Sequence, residues 1–382
     1  MQDSPNRDLI GQPGGRDRLQ TPCLVLDLDA AEANIACMAA HAQAAGIGLR
    51  PHAKAHKSVA LARRQLDAGA TGICVATVGE AEALAAGGIG GLLLTSPVAG
   101  TAKLRRLAEL ARSGHAVMAT VDHPDAVAGL SAAMTGGAMA GASAPLTLLV
   151  DMDVGQHRTG VPDADTALDL ARAIADAAGL AFGGIQAYAG HVQHIAGLAE
   201  RRAAMERPWA LIQAVRQRLA GAGLAPAIVT GAGTGTHALD AGAGLFTEMQ
   251  TGSYVFTDVQ YDAVVLREAA ATPFRPSLFV ACSVVSTHQE GFVTTDGGLK
   301  RFATDGPAPR PMRNAPAGAG FRFSGDEFGA LLLNGARPPA RGTVIECQVP
   351  HCDPTVDLYD WYHVVRGDVL VEIWPVEGRG AI

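Results

Sequence analysis

The amino-acid sequence predicts an α/β protein, a TIM-like (β/α)8 barrel followed by a C-terminal mostly-β domain. Short apolar runs alternate with Ala-rich amphipathic stretches over the first two thirds of the 382 residues, which is typical of repeated βα units. After about residue 261 the pattern changes to short strands separated by Gly and Pro. We therefore expect a mobile segment over residues 1–19, a barrel over 20–261 and a β domain over 262–382.

The barrel is expected to contain eight strands, each followed by a helix or loop. The helix predicted over 163–178 begins with an acidic turn and ends before a glycine, as capping and the helix dipole favour. Eight such units suggest a closed barrel with its active site at the C-terminal strand ends; an open doubly wound sheet is the alternative. The strand-like runs are 47–51, 72–78, 91–95, 116–121, 146–151, 184–188, 227–230 and 248–252.

The β domain is expected to be built from short strands with a long Pro- and Gly-rich surface loop over 306–320. Its strands are predicted at 278–287, 291–295, 342–349, 363–366 and 369–374.

Composition narrows the class of protein. Hydrophobic residues make up 48% and charged residues 18%, which indicates a globular chain. No apolar run is long enough for a membrane helix, and a formal charge of −7 argues against binding nucleic acid. Six cysteines without a C-x-x-C pair indicate reduced thiols. We expect a cytoplasmic protein that binds neither membrane nor nucleic acid.

A cationic stretch over residues 50–57 follows the first barrel strand. It could be a solvated basic patch. Alternatively, a lysine buried there beside Arg50, His52 and His56 would have its ammonium form disfavoured by like charge and desolvation, which gives the free amine that a Schiff base requires. We favour Lys54 for this role.

A glycine-rich turn, Thr230-Gly-Ala-Gly-Thr-Gly-Thr, follows the seventh strand. Its N–H groups and hydroxyls, including those of Gly233, Thr234 and Gly235, could hold a phosphate where such barrels commonly bind one. Tight packing of a helix on a strand is the ordinary explanation of such a turn.

Polar residues also follow the fifth and sixth strands, including Arg158 and Tyr188. They could surround a planar cofactor at the same rim. For at least two of Asp151, Asp153 and His191 we favour capping, ion pairing or an ordinary loop role.

In the β domain, His351 and Asp353 are two positions apart, so in an extended segment both face one side. Together with water and substrate oxygens they would suit a divalent ion, with Mn²⁺ or Mg²⁺ favoured and Zn²⁺ as an alternative. Two ligands are too few for a structural zinc site, and the H-x-D pattern alone is common.

Taken as an ordered set, motifs along nearly the whole chain resemble the D-threonine aldolase and D-3-hydroxyaspartate aldolase family, which is related to D-serine dehydratases. Members are pyridoxal-phosphate enzymes of the alanine-racemase-like type with a divalent metal beside the cofactor. The motifs are TPCLVLDLDAAEANI (21–35), RPHAKAHKS (50–58), GEAEAL (79–84), DMDVGQHRTGV (151–161), GIQAYAGHVQH (184–194), GAGTGT (231–236), EMQTGSYVF (248–256) and VPHCDPTVDLYD (349–360).

The resemblance implies a homodimer that cleaves a D-3-hydroxy amino acid to glycine and an aldehyde. Lys54 would form the Schiff base, and His194 would take the proton from a substrate hydroxyl bound to the metal. His351 and Asp353 would hold the metal. The implied cofactor contacts are Lys54, His52, Arg158, Tyr188, Thr230, Gly233, Thr234, Gly235 and Tyr254.

One departure from the family concerns Phe328, which stands in Asp-Glu-Phe-Gly where relatives tend to have Asp-Glu-His-Gly. We expect it to make the substrate pocket more apolar. The alternative reactions are a dehydratase of the same fold, which Asp353 argues against because cysteine tends to stand there in D-serine dehydratases, and a racemase. A non-catalytic pyridoxal-phosphate protein and a metal-dependent hydrolase fit less of the pattern.

Overall fold

The computed structural model describes residues 4–136, 144–268 and 272–382. The strands in these residues are β1 (Cys23–Asp27), β2 (Gly48–Leu49), β3 (Ile73–Val75), β4 (Leu92–Leu94), β5 (Val117–Val121), β6 (Leu146–Asp151), β7 (Leu180–Ala187), β8 (Ile228–Gly231), β9 (Glu248–Met249), β10 (Leu278–Ser286), β11 (Phe292–Thr295), β12 (Arg310–Arg313), β13 (Gly320–Phe323), β14 (Gly329–Leu332), β15 (Val344–Gln348), β16 (Trp361–Arg366) and β17 (Val369–Pro375). The α-helices are α1 (Leu28–Ala45), α2 (Val59–Asp67), α3 (Val78–Ala86), α4 (Thr101–Arg112), α5 (Pro124–Thr135), α6 (Ala164–Asp176), α7 (Leu198–Gly221), α8 (His237–Ala243), α9 (Val259–Asp262) and α10 (Cys352–Val356). None of these described helices is both long enough and apolar enough to cross a membrane.

Strands β2 to β9 form one parallel sheet in the order β2-β9-β8-β7-β6-β5-β4-β3. The two ends of this sheet meet, because the Cys74 N–H donates to the Pro51 carbonyl (2.8 Å) and a parallel bridge joins His52 to Cys74. The predicted eight-stranded barrel is confirmed, and the open sheet is excluded.

The barrel helices begin where side chains cap their first turns. Asp163 accepts a hydrogen bond from Thr166 N–H (2.8 Å) at the start of α6, and Thr77 does the same for Glu80 N–H (3.1 Å) at α3. Such caps satisfy N–H groups that the helix cannot pair internally. Apolar faces of these helices pack on the strands in one continuous core, which fixes the strand ends that form the site.

The second sheet contains β1 as well as the later strands. Its main path runs β13-β14-β11-β10-β1-β16-β17, and β15 pairs with β10 and β12. The boundary of the barrel at residue 20 is therefore wrong: β1 lies antiparallel to β10 and parallel to β16. Sequence order misassigned it, because an apolar strand followed by a helix looks the same in either sheet. The predicted loop at 306–320 also contains a strand, β12.

The expectation of a mobile N-terminal segment is wrong for residues 4–19. Arg16 is buried and forms a two-pronged ion pair with Glu346 of β15 (2.6 and 2.7 Å). Ser4 and Asn6 are also buried, and their side chains contact His363 Nε2 at 2.9 and 3.0 Å. The partners of these residues are more than 300 positions away in the sequence, so the local composition of residues 1–19 gave no sign of the contacts.

Residues after β17 return to the barrel. Gly378 N–H donates to the Lys57 carbonyl (3.0 Å), and Glu377 accepts from Val59 N–H at the start of α2 (3.1 Å). Thr77 donates to the Ala381 carbonyl (2.9 Å). The C-terminal segment therefore contacts the residues that directly follow the Lys54 turn and helps to hold that turn in place.

Candidate active site

A cavity of about 270 Å³ lies at the C-terminal ends of the barrel strands, where a (β/α)8 barrel is expected to place its active site. The loop leading into α10 forms one of its walls. The lining residues are His52, Lys54, Ala76, Thr95, Ser96, Arg158, Gln186, Tyr188, His194, Gly233, Thr234, Gln250, Gly252, Ser253, Tyr261, His351 and Asp353.

Lys54 lies in a short turn directly after β2, and its ammonium group forms an ion pair with Asp353. Burial disfavours the charged amine, but the attraction of Asp353 outweighs it and raises the pKa of Lys54. Burial also works against the Asp353 carboxylate, yet Lys54 lowers the Asp353 pKa to about 2. In this state Lys54 is therefore a cation.

The expectation that like charges keep Lys54 neutral is thus wrong. Arg50 turns away and pairs with Glu248 through two hydrogen bonds of 2.8 and 3.0 Å. His56 is fully buried, and burial lowers its pKa to about 4, so it is uncharged near neutral pH. The sequence showed the cations near Lys54 but not the distant carboxylate.

His52 is held in one tautomer beside Lys54. Its Nδ1 accepts the Lys54 N–H (3.3 Å), so Nε2 carries the proton and donates to the Thr95 hydroxyl (2.9 Å). Thr95 in turn donates to the Val75 carbonyl (3.1 Å). Burial, with Lys54 nearby, lowers the pKa of His52 well below its ordinary value. The cavity wall here is a neutral, fixed imidazole.

His194 lies in the loop that follows β7, and its ring centroid is 4.6 Å from that of Tyr261. Burial, followed by the influence of His351, lowers the pKa of His194. A neutral imidazole can accept a proton, which suits a general base. Tyr261 lies outside the motifs used for the prediction, five residues after the one that ends at residue 256, and was therefore not identified from the sequence.

The floor of the cavity is a hydrogen-bonded chain of amides and a carboxyl. Gln250 donates to Gln186 (3.0 Å), and Gln186 donates to Asp151 (2.8 Å), which also accepts from Thr159 (2.7 Å). Burial raises the pKa of Asp151 to about 6. Asp153, by contrast, caps the adjoining loop by accepting from Gly155 N–H (2.9 Å), the capping role that was the favoured alternative.

The ends of β8 and β9 present backbone donors to the cavity. Over the described residues, the N–H groups of Thr234, Gly252 and Ser253 donate no hydrogen bond, although Thr234 and Ser253 are 2% and 8% exposed. Buried N–H groups are rarely left unpaired. All three residues line one cavity, and a set of unpaired N–H groups is suited to an anion such as a phosphate.

Three predicted cofactor contacts do not line the cavity. Thr230 is fully buried behind it, with no partner for its hydroxyl among the described residues. Gly235 packs against Gln193, where a Cβ would lie 2.1 Å from the carbonyl oxygen, so packing explains this glycine. The Tyr254 hydroxyl accepts from Gln65 (3.1 Å) within the core. Gly252 and Ser253, the two residues directly before Tyr254, line the cavity instead.

His351 and Asp353 both line the cavity, but they are engaged elsewhere. His351 Nδ1 is 2.8 Å from Asp305, and Asp353 is paired with Lys54. Within the described ranges, no group of three or more His, Cys, Asp or Glu side chains is arranged to hold a metal ion. A metal here would need Lys54 to release Asp353.

Phe328 lies outside the cavity. It is 48% exposed, on the turn between β13 and β14. The prediction that it makes the substrate pocket apolar does not agree with this position. A surface turn and a pocket wall have the same local sequence pattern, which explains the error.

Comparison with known proteins identifies the family. Residues 26–259 match the alanine racemase N-terminal domain, and residues 277–365 match the putative serine dehydratase domain. The chain therefore belongs to the alanine racemase-like family that combines these two domains.

Three curated relatives cover most of the chain. A D-threonine aldolase of Arthrobacter sp. is 39% identical, covering 97% of this chain and 95% of its own. A 3-hydroxy-D-aspartate aldolase of Paracoccus denitrificans is 35% identical, covering 98% and 96%. A D-threo-3-hydroxyaspartate dehydratase of Delftia sp. is 31% identical, covering 83% and 82%.

A solved structure agrees with these relatives. The crystal structure of D-threonine aldolase from Filomicrobium marinum has a TM-score of 0.89 and 36% identity, over 95% of this chain and 96% of that one. The predicted family and lyase class are thereby confirmed.

Proposed function

We propose that this protein is a pyridoxal-phosphate- and divalent-metal-dependent aldolase that cleaves D-3-hydroxy amino acids to glycine and an aldehyde. The observation that carries the proposal is that one cavity is lined by Lys54, by three residues whose backbone N–H groups donate no hydrogen bond, and by His194, His351 and Asp353. The aldolases of Arthrobacter and Filomicrobium support the reaction class.

The cavity fits the cofactor. The three unpaired N–H groups would hold its phosphate, and Lys54 would bind it covalently. When bound, pyridoxal phosphate supplies a conjugated ring that accepts the electron pair left by a broken bond at Cα. Arg158, Tyr188 and the neutral His52 also line the cavity, and they would orient the ring.

The metal would be held by His351 and Asp353 once Lys54 is engaged with the cofactor, because Asp353 then loses its cationic partner. A bound divalent ion supplies a Lewis acid that lowers the pKa of a hydroxyl oxygen. An imidazole and a carboxylate favour Mn²⁺ or Mg²⁺ and also admit Zn²⁺.

His194 would act as the base. Its neutral imidazole takes the proton from the substrate β-hydroxyl as the Cα–Cβ bond breaks and the carbonyl of the aldehyde forms. The electron pair of that bond stays on the glycine carbon, which is then protonated. Tyr261 keeps the His194 ring in place.

The rival reaction is dehydration of the same substrates, as the name of the Delftia relative indicates. It would expel the hydroxyl instead of deprotonating it, which leaves His194 without a task as a base. The carboxylate of Asp353, in place of a thiolate, favours the aldolase.

The test is to incubate the protein, loaded with pyridoxal phosphate and Mn²⁺, with D-threonine and assay the products. Glycine and acetaldehyde support the proposal; 2-oxobutyrate and ammonia as main products would assign a dehydratase. Borohydride treatment should fix the cofactor to Lys54, and Lys54→Ala should abolish the visible absorption. Attachment to another lysine would refute the assignment.

We further propose, from the family resemblance, that the protein acts as a cytoplasmic homodimer. Sedimentation equilibrium of the loaded protein measures the subunit number, and a monomer at micromolar concentration would contradict this.

A further inference from the structure

Asp258 is a fully buried carboxylate that directly precedes α9. Its Oδ1 accepts the Tyr261 N–H (3.0 Å) as the cap of that helix, and its Oδ2 accepts the Cys352 N–H (3.0 Å) at the start of α10. A helix cap needs only one acceptor oxygen. Capping therefore explains the first hydrogen bond and leaves the bond to Cys352 to be explained.

The two N–H donors belong to different parts of the proposed chemistry. Tyr261 packs on the ring of His194, the proposed base, with 4.6 Å between the ring centroids. Cys352 is the middle residue of the metal loop, which consists of His351, Cys352 and Asp353. One buried carboxylate thus joins the residue that supports the base to the peptide group between the two proposed metal ligands.

The backbone of α9 is attached to the same part of the chain. The Val259 N–H donates to the Val349 carbonyl (3.1 Å), and the Gln260 N–H donates to the Pro350 carbonyl (3.3 Å). These bonds hold the two residues that lead into the metal loop. The side chain of Asp258 extends the attachment into the loop itself.

We propose that Asp258 is a positioning residue, which holds the metal loop so that His351 and Asp353 can bind the divalent ion together. The inference rests on the proposed function, since it takes these two side chains as the metal ligands. Cys352 is fully buried, and a buried N–H that loses its acceptor is unfavourable, so without Asp258 the loop would shift. That shift would move both ligands at once, because they flank Cys352.

Asp258→Ser separates positioning from capping. Serine is also a preferred helix cap, so α9 keeps a capped first turn, but its single oxygen on a shorter side chain cannot accept both N–H groups. Calorimetric titration of Mn²⁺ into the protein loaded with pyridoxal phosphate measures the Kd for the metal. We expect this Kd to rise about ten- to hundredfold, as happens when the groups that hold metal ligands in place are lost, while the visible cofactor band is retained.

The matched control is Asp163→Ser, the same substitution at the cap of α6, where Asp163 accepts the Thr166 N–H (2.8 Å) and does not line the cavity. Its Kd for Mn²⁺ should equal that of the unsubstituted protein. Asp258→Asn is a second variant that keeps the size of the side chain, but its NH₂ group cannot accept an N–H. We expect the Kd to rise in this variant as well.

A Kd for Mn²⁺ that is unchanged in both Asp258 variants, with only the urea midpoint lowered, would show an ordinary helix cap and overturn the inference. An equal rise of the Kd in Asp163→Ser would also overturn it, because loss of stability would then explain the effect. The proposed function survives both outcomes if the unsubstituted protein binds Mn²⁺ and releases glycine from D-threonine. If the unsubstituted protein binds no Mn²⁺, the metal-dependent function fails first and the inference with it.

Discussion

The barrel and the second sheet, which contains β1 and the strands from β10 to β17, contribute to the site in different ways. Barrel residues such as Lys54 and Tyr188 enter the cavity directly after strands, so counting strands locates them. The sheet contributes His351 and Asp353 from the loop and helix after β15, at a place set by how the sheet packs on the barrel. Asp353 nevertheless decides the charge of Lys54 from 299 positions away. Strand counting therefore finds the residues of a site, while their ionisation depends on contacts between the two regions.

Asp353→Asn should remove the control of the Lys54 charge by Asp353, and we expect it to have the largest effect on turnover. Without the carboxylate, burial dominates and the pKa of Lys54 falls. Turnover should also be lost, because Asp353 is one of the two proposed metal ligands. In cofactor-free protein, acylation of Lys54 followed by mass spectrometry should show its pH midpoint moving down.

The matched control is Asp357→Asn, since Asp357 pairs with Lys57 on the same turn at 2.8 Å. It should leave the Lys54 midpoint in place. An unchanged midpoint in Asp353→Asn would mean that barrel residues alone set the charge of Lys54.

His194→Gln tests the barrel side of the comparison. Loss of the proposed base should lower kcat/KM by about 10²- to 10⁴-fold. In the unsubstituted protein, kcat/KM should rise with pH through a pKa below 6.5, because burial lowers the pKa of His194 and the neutral form is active. His191→Gln, three positions earlier, serves as the control. If the rise of kcat/KM with pH is unchanged in His194→Gln, another group is responsible for it.

Each region also contains a buried neutral histidine, His56 in the barrel and His363 in the sheet, and burial lowers both pKa values to about 4. The unfolded chain protonates near pH 6.5. The stability they contribute is therefore complete above about pH 6.5 and is lost as pH falls towards 4. Each should add a slope of about 1.4 kcal/mol per pH unit to the free energy of unfolding in that window.

Urea unfolding between pH 4.5 and 7 measures this slope in His56→Gln, in His363→Gln and in the exposed control His288→Gln. If the shared core makes the barrel and the second sheet unfold together, each unfolding curve should show a single transition. Each buried substitution should then reduce the pH slope of the free energy of unfolding by about 1.4 kcal/mol per pH unit. Two transitions that respond separately would show that barrel and sheet unfold independently.

The sequence predicted the barrel, its eight strands and most of the cavity lining, because strand ends carry their polar residues in a local pattern. It missed β1, the ion pair of Lys54 and the surface position of Phe328, because each depends on contacts between distant parts of the chain. Tyr254 was misplaced for a smaller reason: it is adjacent to Ser253, and a turn directs successive side chains to different sides.

Tyr254→Phe should therefore have the smallest effect. It removes one hydrogen bond with Gln65 and should lower the free energy of unfolding by about 1 kcal/mol. kcat/KM should change less than twofold. A large loss of turnover with unchanged stability would instead place Tyr254 at the cofactor.

The position of β1 between β10 and β16 has a consequence for biosynthesis. Residues 23–27 leave the ribosome about 250 residues before their β10 partners, a delay of roughly 10 to 50 seconds at typical rates of synthesis. During that time an apolar Cys-Leu-Val-Leu strand has neither neighbour and can pair with other chains. We expect the nascent chain to need a chaperone over this interval, and fragments that end before β10 to aggregate.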